Sequence, residues 1–196
     1  LAFHALKLGL PTRVSARSGE INPETYPAWA TITYEFPARG DLPPVKFTWY
    51  EGARDGQRNL PAPSLLHGQE PSSSGMLFVG ESGSIFTPDD YGEVQQLLPA
   101  EKFQDLRRPL PTLERLGDAI DHDHRHKFEW VRAIQQGTPT MSDFSIAATM
   151  TEAMLLGHVA VRSGQSIDYD GSTGQVTNSP EAQALIDTGQ RQGWEI

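Results

Sequence analysis

Cysteine is absent from this chain, which removes disulfides, thiolate nucleophiles and Cys-based zinc sites. Basic stretches are missing too. Lys and Arg number 16 against 25 Asp and Glu, the net charge is −9, and no window is rich in cations. A nucleic-acid binder would normally show a basic face, so that class is set aside. The acidic balance speaks for solubility rather than for a partner. Long apolar runs are also lacking. The longest stretch, Ala153 to Val161, is broken by Gly157 and His158, so no run has the ~20 uninterrupted residues of a membrane span. No G-x-G-x-x-G follows a strand, and no G-x-x-x-x-G-K-[ST] occurs, so the usual means of cradling a dinucleotide are not here.

What remains is 196 residues, 37% of them hydrophobic, enough for one buried core or one core with an appendage. The opening "LAFHALKLGLPTRV" lacks both Met and a signal peptide. Ala2, Phe3, Leu6 and Leu8 suggest the last turns of a helix, ended by Gly9 and Pro11. A chain that opens inside a helix reads as part of a larger protein, with any targeting signal upstream of Leu1 and the compartment left open.

Strands are expected at 13–18 and 28–37. In the second, Ala30, Ile32, Tyr34 and Phe36 share one face, and Thr31, Thr33 and Glu35 share the other. "PVKFTWY" repeats the alternation, and the turn residues of "ARGDLPP" join the two runs into an antiparallel hairpin. Residues 52–75, rich in Pro, Gly and Ser and without period, read either as a mobile excursion or as a functional loop. "GMLFVGESGSIF" reads as a second hairpin turning at Glu81–Gly83. "GESGS" within it resembles a nucleophile elbow but has Ser84 where Gly is needed, so a turn is expected. A short helix is expected near 100–106.

The last third is helical. Phe128, Val131 and Ile134 are spaced for a helix over 123–136 that Gly137 ends. Ser142 can cap a longer helix reaching Ser163, with Gly164 beyond. That helix is apolar nearly all round and is expected to be buried on several sides, with Gly157 allowing another backbone to come close. A short strand "SIDYD" and a helix from Pro180 to about 188 complete an α+β chain: an open, mostly antiparallel sheet with helices packed on one face. The other face, polar with aromatics, can meet water or another subunit, and self-association is expected.

"DHDHRHKFEW" places three of the six histidines within five positions. His122 and His126 share a face on a helix, whereas His122, His124 and His126 would align on a strand. Three readings stand. The imidazoles could hold a zinc-like ion, although no fourth ligand is identifiable. Asp121 or Asp123 could cap a helix beside exposed histidines. Or His126 alone could point into a site. His158, in the apolar helix, reads as a core or interface histidine. For Trp49 and Tyr50, packing of one and exposure of the other is expected. Tyr91, in the acidic turn "TPDDYGEV", is the best exposed aromatic for stacking on a sugar, or else a plain turn residue.

Seven segments occur in an order that carries a resemblance: "ALKLGLPTRVSA", "YEFPARGDLPPVKFTWYEG", "GMLFVGESGSI", "YGEVQQLLP", "HKFEWVRAIQQGTPTMSDFSIAATMTEAMLLGHVAVRSGQSIDYD", "TNSPEAQALI" and "RQGW". Together they resemble the C-terminal domain of Gfo/Idh/MocA oxidoreductases, closest to a bacterial subgroup abundant in planctomycetes and Bacteroidetes. The resemblance covers essentially the whole chain, 1–196, as a single C-terminal substrate-binding and oligomerisation domain. It implies a glucose–fructose oxidoreductase-like fold and a Rossmann domain before Leu1 that holds NAD or NADP. The catalytic Lys and the His-bearing motif would also lie before Leu1, so no catalytic, cofactor or metal residue is assigned to this chain, and no cofactor is expected bound to it. The implied activity is oxidation or reduction of a sugar, polyol or related hydroxy compound. The alternative is a non-catalytic carbohydrate-binding or assembly module derived from that family.

The resemblance implies partners as well: the chain's own N-terminal domain, further copies through the sheet face, and a small-molecule substrate, with neither nucleic acid nor membrane. Only His126 fits the subgroup's H-x-x-x-W pattern, with Trp130 beside it, so the histidine cluster as a unit loses support. Arg191, Gly193 and Trp194 match its R-x-G-W ending, read as docking of the tail. The substrate-binding candidates are Tyr50, Tyr91, His126 and Trp130.

Overall fold

Alternation with a period of two writes the central sheet. A computed structural model describes residues 1–22, 24–112, 122–187, 189 and 191–193, with no side-chain description at 122 and 123. After a short helix α1 (Ala2–Ala5) come β1 (Arg13–Ser18), β2 (Trp29–Phe36) and β3 (Val45–Arg54). β2 pairs antiparallel with both neighbours, Ile32 lying opposite Ala16 on one side and Trp49 on the other. This register puts Val14, Ala30, Ile32, Tyr34 and Phe36 on one face, and all five are buried. Arg13, Arg17, Thr31, Thr33, Lys46, Thr48 and Tyr50 fall on the other, open face.

β3 runs further than the sequence suggests. Gly52 sits at φ +74° opposite Trp29, where a Cβ would stand 2.0 Å from the Ala28 carbonyl oxygen. Only glycine continues the strand there, and Ala53 N–H then donates to that same carbonyl. The chain turns back as β4 (Gln57–Arg58). On the far edge of β1 lie β8 (Ile167–Asp170) and β9 (Gln175–Val176), giving the order β4-β3-β2-β1-β8-β9. Arg13 crosses from β1 to pair with Asp168 of β8 at 2.6 Å on the open face, an exposed pair that contributes about 0.2–1 kcal/mol.

Segment 59–75 is anchored. The Asn59 amide donates to the Ala30 carbonyl at 2.8 Å and to Thr31 Oγ1 at 2.9 Å. Arg58 Nη2 donates to the carbonyls of Ser72 and Ser73 at 2.7 and 3.0 Å. A 3-10 turn, Pro63–Leu66, inserts Leu66 beside Phe86 and Leu98 in a second, smaller core. That core belongs to a three-stranded sheet of β5 (Met76–Gly80), β6 (Gly83–Thr87) and β7 (Gln96–Leu98). The "GESGS" segment is its first turn, as expected. β7 is not evident in the sequence, because three residues are too few to show a period. A 3-10 turn at Ala100–Phe103 stands where a short helix is expected.

α2 (His122–Gln136) and α3 (Phe144–Ser163) follow. The cap of α3 is Asp143 rather than Ser142: its carboxylate accepts from Ser145 N–H at 2.7 Å, and hydrogen bonds to Ser145 hold its pKa below the usual carboxylate value. Gly164, at φ +65°, closes the helix. α3 lies across β1 and β2 on the buried face and seals Ala153, Leu156, Gly157, Ala160 and Val161 against the sheet. Burying one Leu or Val side chain contributes about 1.5–3 kcal/mol.

Two expectations for α3 are corrected. It is buried along one stripe, not on several sides, since Phe144 is 86% and Leu155 is 55% exposed. It also passes the length and composition test for a membrane span, with a mean hydropathy of 1.4, because that average is indifferent to the breaks at Gly157 and His158. Its inward stripe is nonetheless bound to the sheet, as in the core helix of a globular domain.

α4 (Pro180–Ile186) ends the described helices. Ser179 caps it through Ala182 N–H at 3.2 Å, with Pro180 in the first turn.

Candidate functional site

The outward side of α3, together with α4 and β8, encloses an open groove of about 510 Å³. Phe144, Ala148, Leu155, Tyr169 and Ile186 give it an apolar lining. α3 supplies one stripe because residues three and four apart share a helix face. Tyr169 arrives because β8 alternates, with Ile167 and Tyr169 on the helix side and Asp168 and Asp170 on the other. α4 is set by "TNSPEAQ". The Asn178 side chain accepts from Asp168 N–H at 2.8 Å and donates to the Ser166 carbonyl at 2.9 Å. Gln183 Oε1 accepts from Val176 N–H at 2.6 Å. These bonds fix α4 against the sheet and leave Ile186 as a wall of the groove.

One polar pair interrupts the apolar surface. Tyr169 Oη donates to Glu152 Oε1 at 2.6 Å. Burial pushes the phenol well above its ordinary value, the bond to Glu152 adds to this, and the charges of Glu152 and Asp170 act in the same direction. The groove can therefore receive apolar side chains beside one oriented carboxylate. Sequence reasoning passed over Glu152 and Tyr169. The available signal was an acid set among apolar residues of a long helix.

The predicted candidates lie on three separate elements. Tyr50 sits on the open face of β3, opposite Thr31, and is 37% exposed. Tyr91 is 69% exposed in the segment between β6 and β7, where the Asp89 carboxylate accepts from Tyr91, Glu93 and Val94 N–H. Those backbone bonds hold the Asp89 pKa down, that of Val94 first and that of Glu93 next. His126 and Trp130 are one helical turn apart on α2, both exposed, Trp130 at 62%. Trp49 and Tyr50 do not divide into one packed and one exposed ring, since Trp49 is 46% exposed and Tyr50 is 37% exposed.

The histidine stretch is helical, which removes the three-in-line strand geometry. Among the described residues no group of three or more His, Asp or Glu side chains is placed to hold a metal ion. Asp121, the first capping candidate, lies outside the described residues, as does Trp194 of the R-x-G-W ending. His158 is exposed rather than a core histidine, and its ring meets Tyr26 edge-on at 5.0 Å.

A dinucleotide does not fit the described residues. Every described strand pairing is antiparallel, so no parallel strand–turn–helix unit presents a helix N-terminus and a glycine turn to a pyrophosphate.

No protein-family model matches the sequence, and no curated protein matches it. Among solved structures the chain is similar to an oxidoreductase from Agrobacterium radiobacter, a crystal structure in complex with NAD+, L-tartaric acid and magnesium. The identity is 14% and the TM-score 0.44, over 85% of this chain and 45% of that one, so this chain spans less than half of that protein's length. A likeness this distant transfers no residue and no activity.

Proposed function

We propose that this chain is the substrate-binding and assembly domain of an NAD(P)-dependent oxidoreductase acting on a sugar, polyol or related hydroxy compound. The observation that carries the reading is the uncovered side of α3. A helix apolar on both sides, with one side sealed on a sheet and the other open around a 510 Å³ groove, is built to be covered. A nucleotide-binding domain preceding Leu1 is the cover that the ordered motifs imply. In this reading the dinucleotide belongs to that domain. This chain's part is to orient the substrate through polar and aromatic side chains, with Tyr50, Tyr91, His126 and Trp130 as the candidates. The open sheet face, with Thr31, Thr33, Thr48 and Tyr50 in rows, is the surface through which copies associate.

The test is the coding sequence immediately upstream of Leu1. A glycine fingerprint between strand and helix, with a downstream Lys and His, supports the enzyme. A native start at Leu1 sinks it. Without such a fingerprint, the non-catalytic carbohydrate-binding or assembly module takes its place. Calorimetric titration of this chain alone with NADH is expected to show no binding, and micromolar affinity would overturn the assignment of the cofactor to the other domain.

A further inference from the structure

On the helix side of the sheet, away from the groove, four side chains converge. Trp49 and Glu51 are two apart on β3 and point to the same face. The Trp49 indole N–H donates to Glu51 Oε2 at 2.9 Å, which fixes the plane of the carboxylate. The other oxygen, Oε1, is shielded from solvent and has no hydrogen-bond partner. Tyr26, from the segment before β2, lies close enough for the Glu51 charge to act on its phenol, which burial first and Glu51 second push upward. Tyr26 in turn meets His158 of α3, with ring centroids 5.0 Å apart. Trp49 is 46% and Tyr26 is 40% exposed, so two aromatic rings stand open beside a carboxylate oxygen that lacks a donor.

A shielded carboxylate oxygen without a donor is costly, and such groups in native proteins are ordinarily satisfied. A ligand hydroxyl would supply the donor. Aromatic faces accept the C–H surface of a pyranose or cyclitol ring while carboxylates take its hydroxyl protons. An imidazole offers hydrogen-bond partners that hydroxyls, being both donor and acceptor, can match in either sense. A quaternary ammonium would match the open rings but would leave Oε1 without a donor.

We infer that Trp49, Glu51, Tyr26 and His158 form a binding site for a polyhydroxylated ring, with Glu51 Oε1 accepting a ligand hydroxyl and Trp49 lying against the ring. The site does not depend on the oxidoreductase reading. It is complete within this chain and would bind without nucleotide, whereas that reading stands or falls on the upstream sequence.

The experiment is a titration of the 15N-labelled chain with methyl glucoside, myo-inositol and choline. The readout is the Trp49 indole N–H resonance, assigned by its loss in Trp49→Phe. A saturable shift with at least one polyol at millimolar concentration is expected, with choline inert. Glu51→Gln should weaken binding about tenfold or more. His158→Ala, a change on an exposed helix position, should weaken it several-fold and serves as the second variant should Glu51→Gln fail to fold. No saturation by about 100 mM polyol overturns the proposal. So does unchanged affinity in a folded Glu51→Gln, or in His158→Ala, and so does binding of choline in place of the polyols.

Discussion

Gly157 of α3 lies against the hydroxyl of Tyr34 on β2. A Cβ at that position would stand 2.1 Å from Tyr34 Oη and 3.2 Å from Ile32 Cδ1. The close approach the sequence suggests is therefore real, but it is to a side chain rather than to another backbone. Tyr34 is 2% exposed and its hydroxyl donates to the Met154 carbonyl at 3.3 Å, so it has little room to yield. Gly157→Ala gains about 1 kcal/mol of helix propensity. It loses about 1–3 kcal/mol or more to overpacking, so the net effect is destabilisation. Tyr34→Phe removes the clashing oxygen. In a double-mutant cycle by urea denaturation, the pair should be less destabilised than the sum of the single changes.

Leu155 and Leu156 are neighbours in sequence with opposite environments, 55% and 3% exposed. Leu156→Ala should cost about 2–5 kcal/mol. Leu155→Glu should change the stability of this chain by no more than about 0.5 kcal/mol. If the groove is the seat of a second domain, the same Leu155→Glu change should lower activity and melting cooperativity in the full-length protein. Equal effects on the chain and the full-length protein would remove the groove from the interface.

Alkaline stability should rest on two phenols. Burial raises Tyr34 and Tyr169 above their ordinary value; Tyr26 and Glu51 add to the effect at Tyr34, and Glu152 adds to it at Tyr169. A raised value means that the folded state holds the proton more tightly. The contribution is complete below the unfolded phenol pKa of about 10 and is lost as pH climbs above it. Thermal melts from pH 8 to 11.5 should fall by several degrees, and Tyr169→Phe should flatten part of that limb.

The acid limb has the opposite sign. Asp89, Asp143 and Asp170 are lowered by hydrogen bonds to their carboxylates. Their contribution is present above the unfolded carboxyl value of about 3.9 and is lost as pH falls below it. Asp143→Asn keeps a capping oxygen but not the titration, so it should leave the melt at pH 7 within a few degrees and flatten part of the decline between pH 4 and 2. An acid limb identical to that of the parent chain would remove Asp143 from the account.

Thr33 lies mid-strand on the open face, between Ser15 and Thr48. Thr33→Arg should leave the circular dichroism of the chain unchanged and convert associated species to monomer by light scattering. A chain that is monomeric at high concentration before the change would contradict association through this face.

Local pattern carried far in this sequence. β1 was legible to the residue, and β2 and the hairpin at 76–87 to within one, because alternation and turn chemistry are both local. Gly137 and Gly164 marked helix ends by their left-handed conformation, φ +65° at each. What failed was non-local. Whether α3 is covered on its outer side depends on groups outside the helix, so its composition could not tell one buried stripe from several. The Asp143 cap beat Ser142 by one residue of phase. The pairing of Trp49 with Glu51 needs only a strand period of two and could have been read. Tyr26 and His158 are 132 positions apart in numbering (158 − 26), and only the packing of α3 brings them together. Of the candidate residues, Trp130 and His126 were placed on one helix face by their spacing alone.

The bonds from Arg58 to Ser72 and Ser73 shut the stretch between them like a clasp, and Asn59 rivets it to β2 at the sheet edge. Length changes inside the clasp, away from Leu66, are thereby insulated from strand alignment. This makes the stretch between Leu66 and Ser72 the natural port for grafting an epitope or a fluorophore without disturbing the architecture beneath.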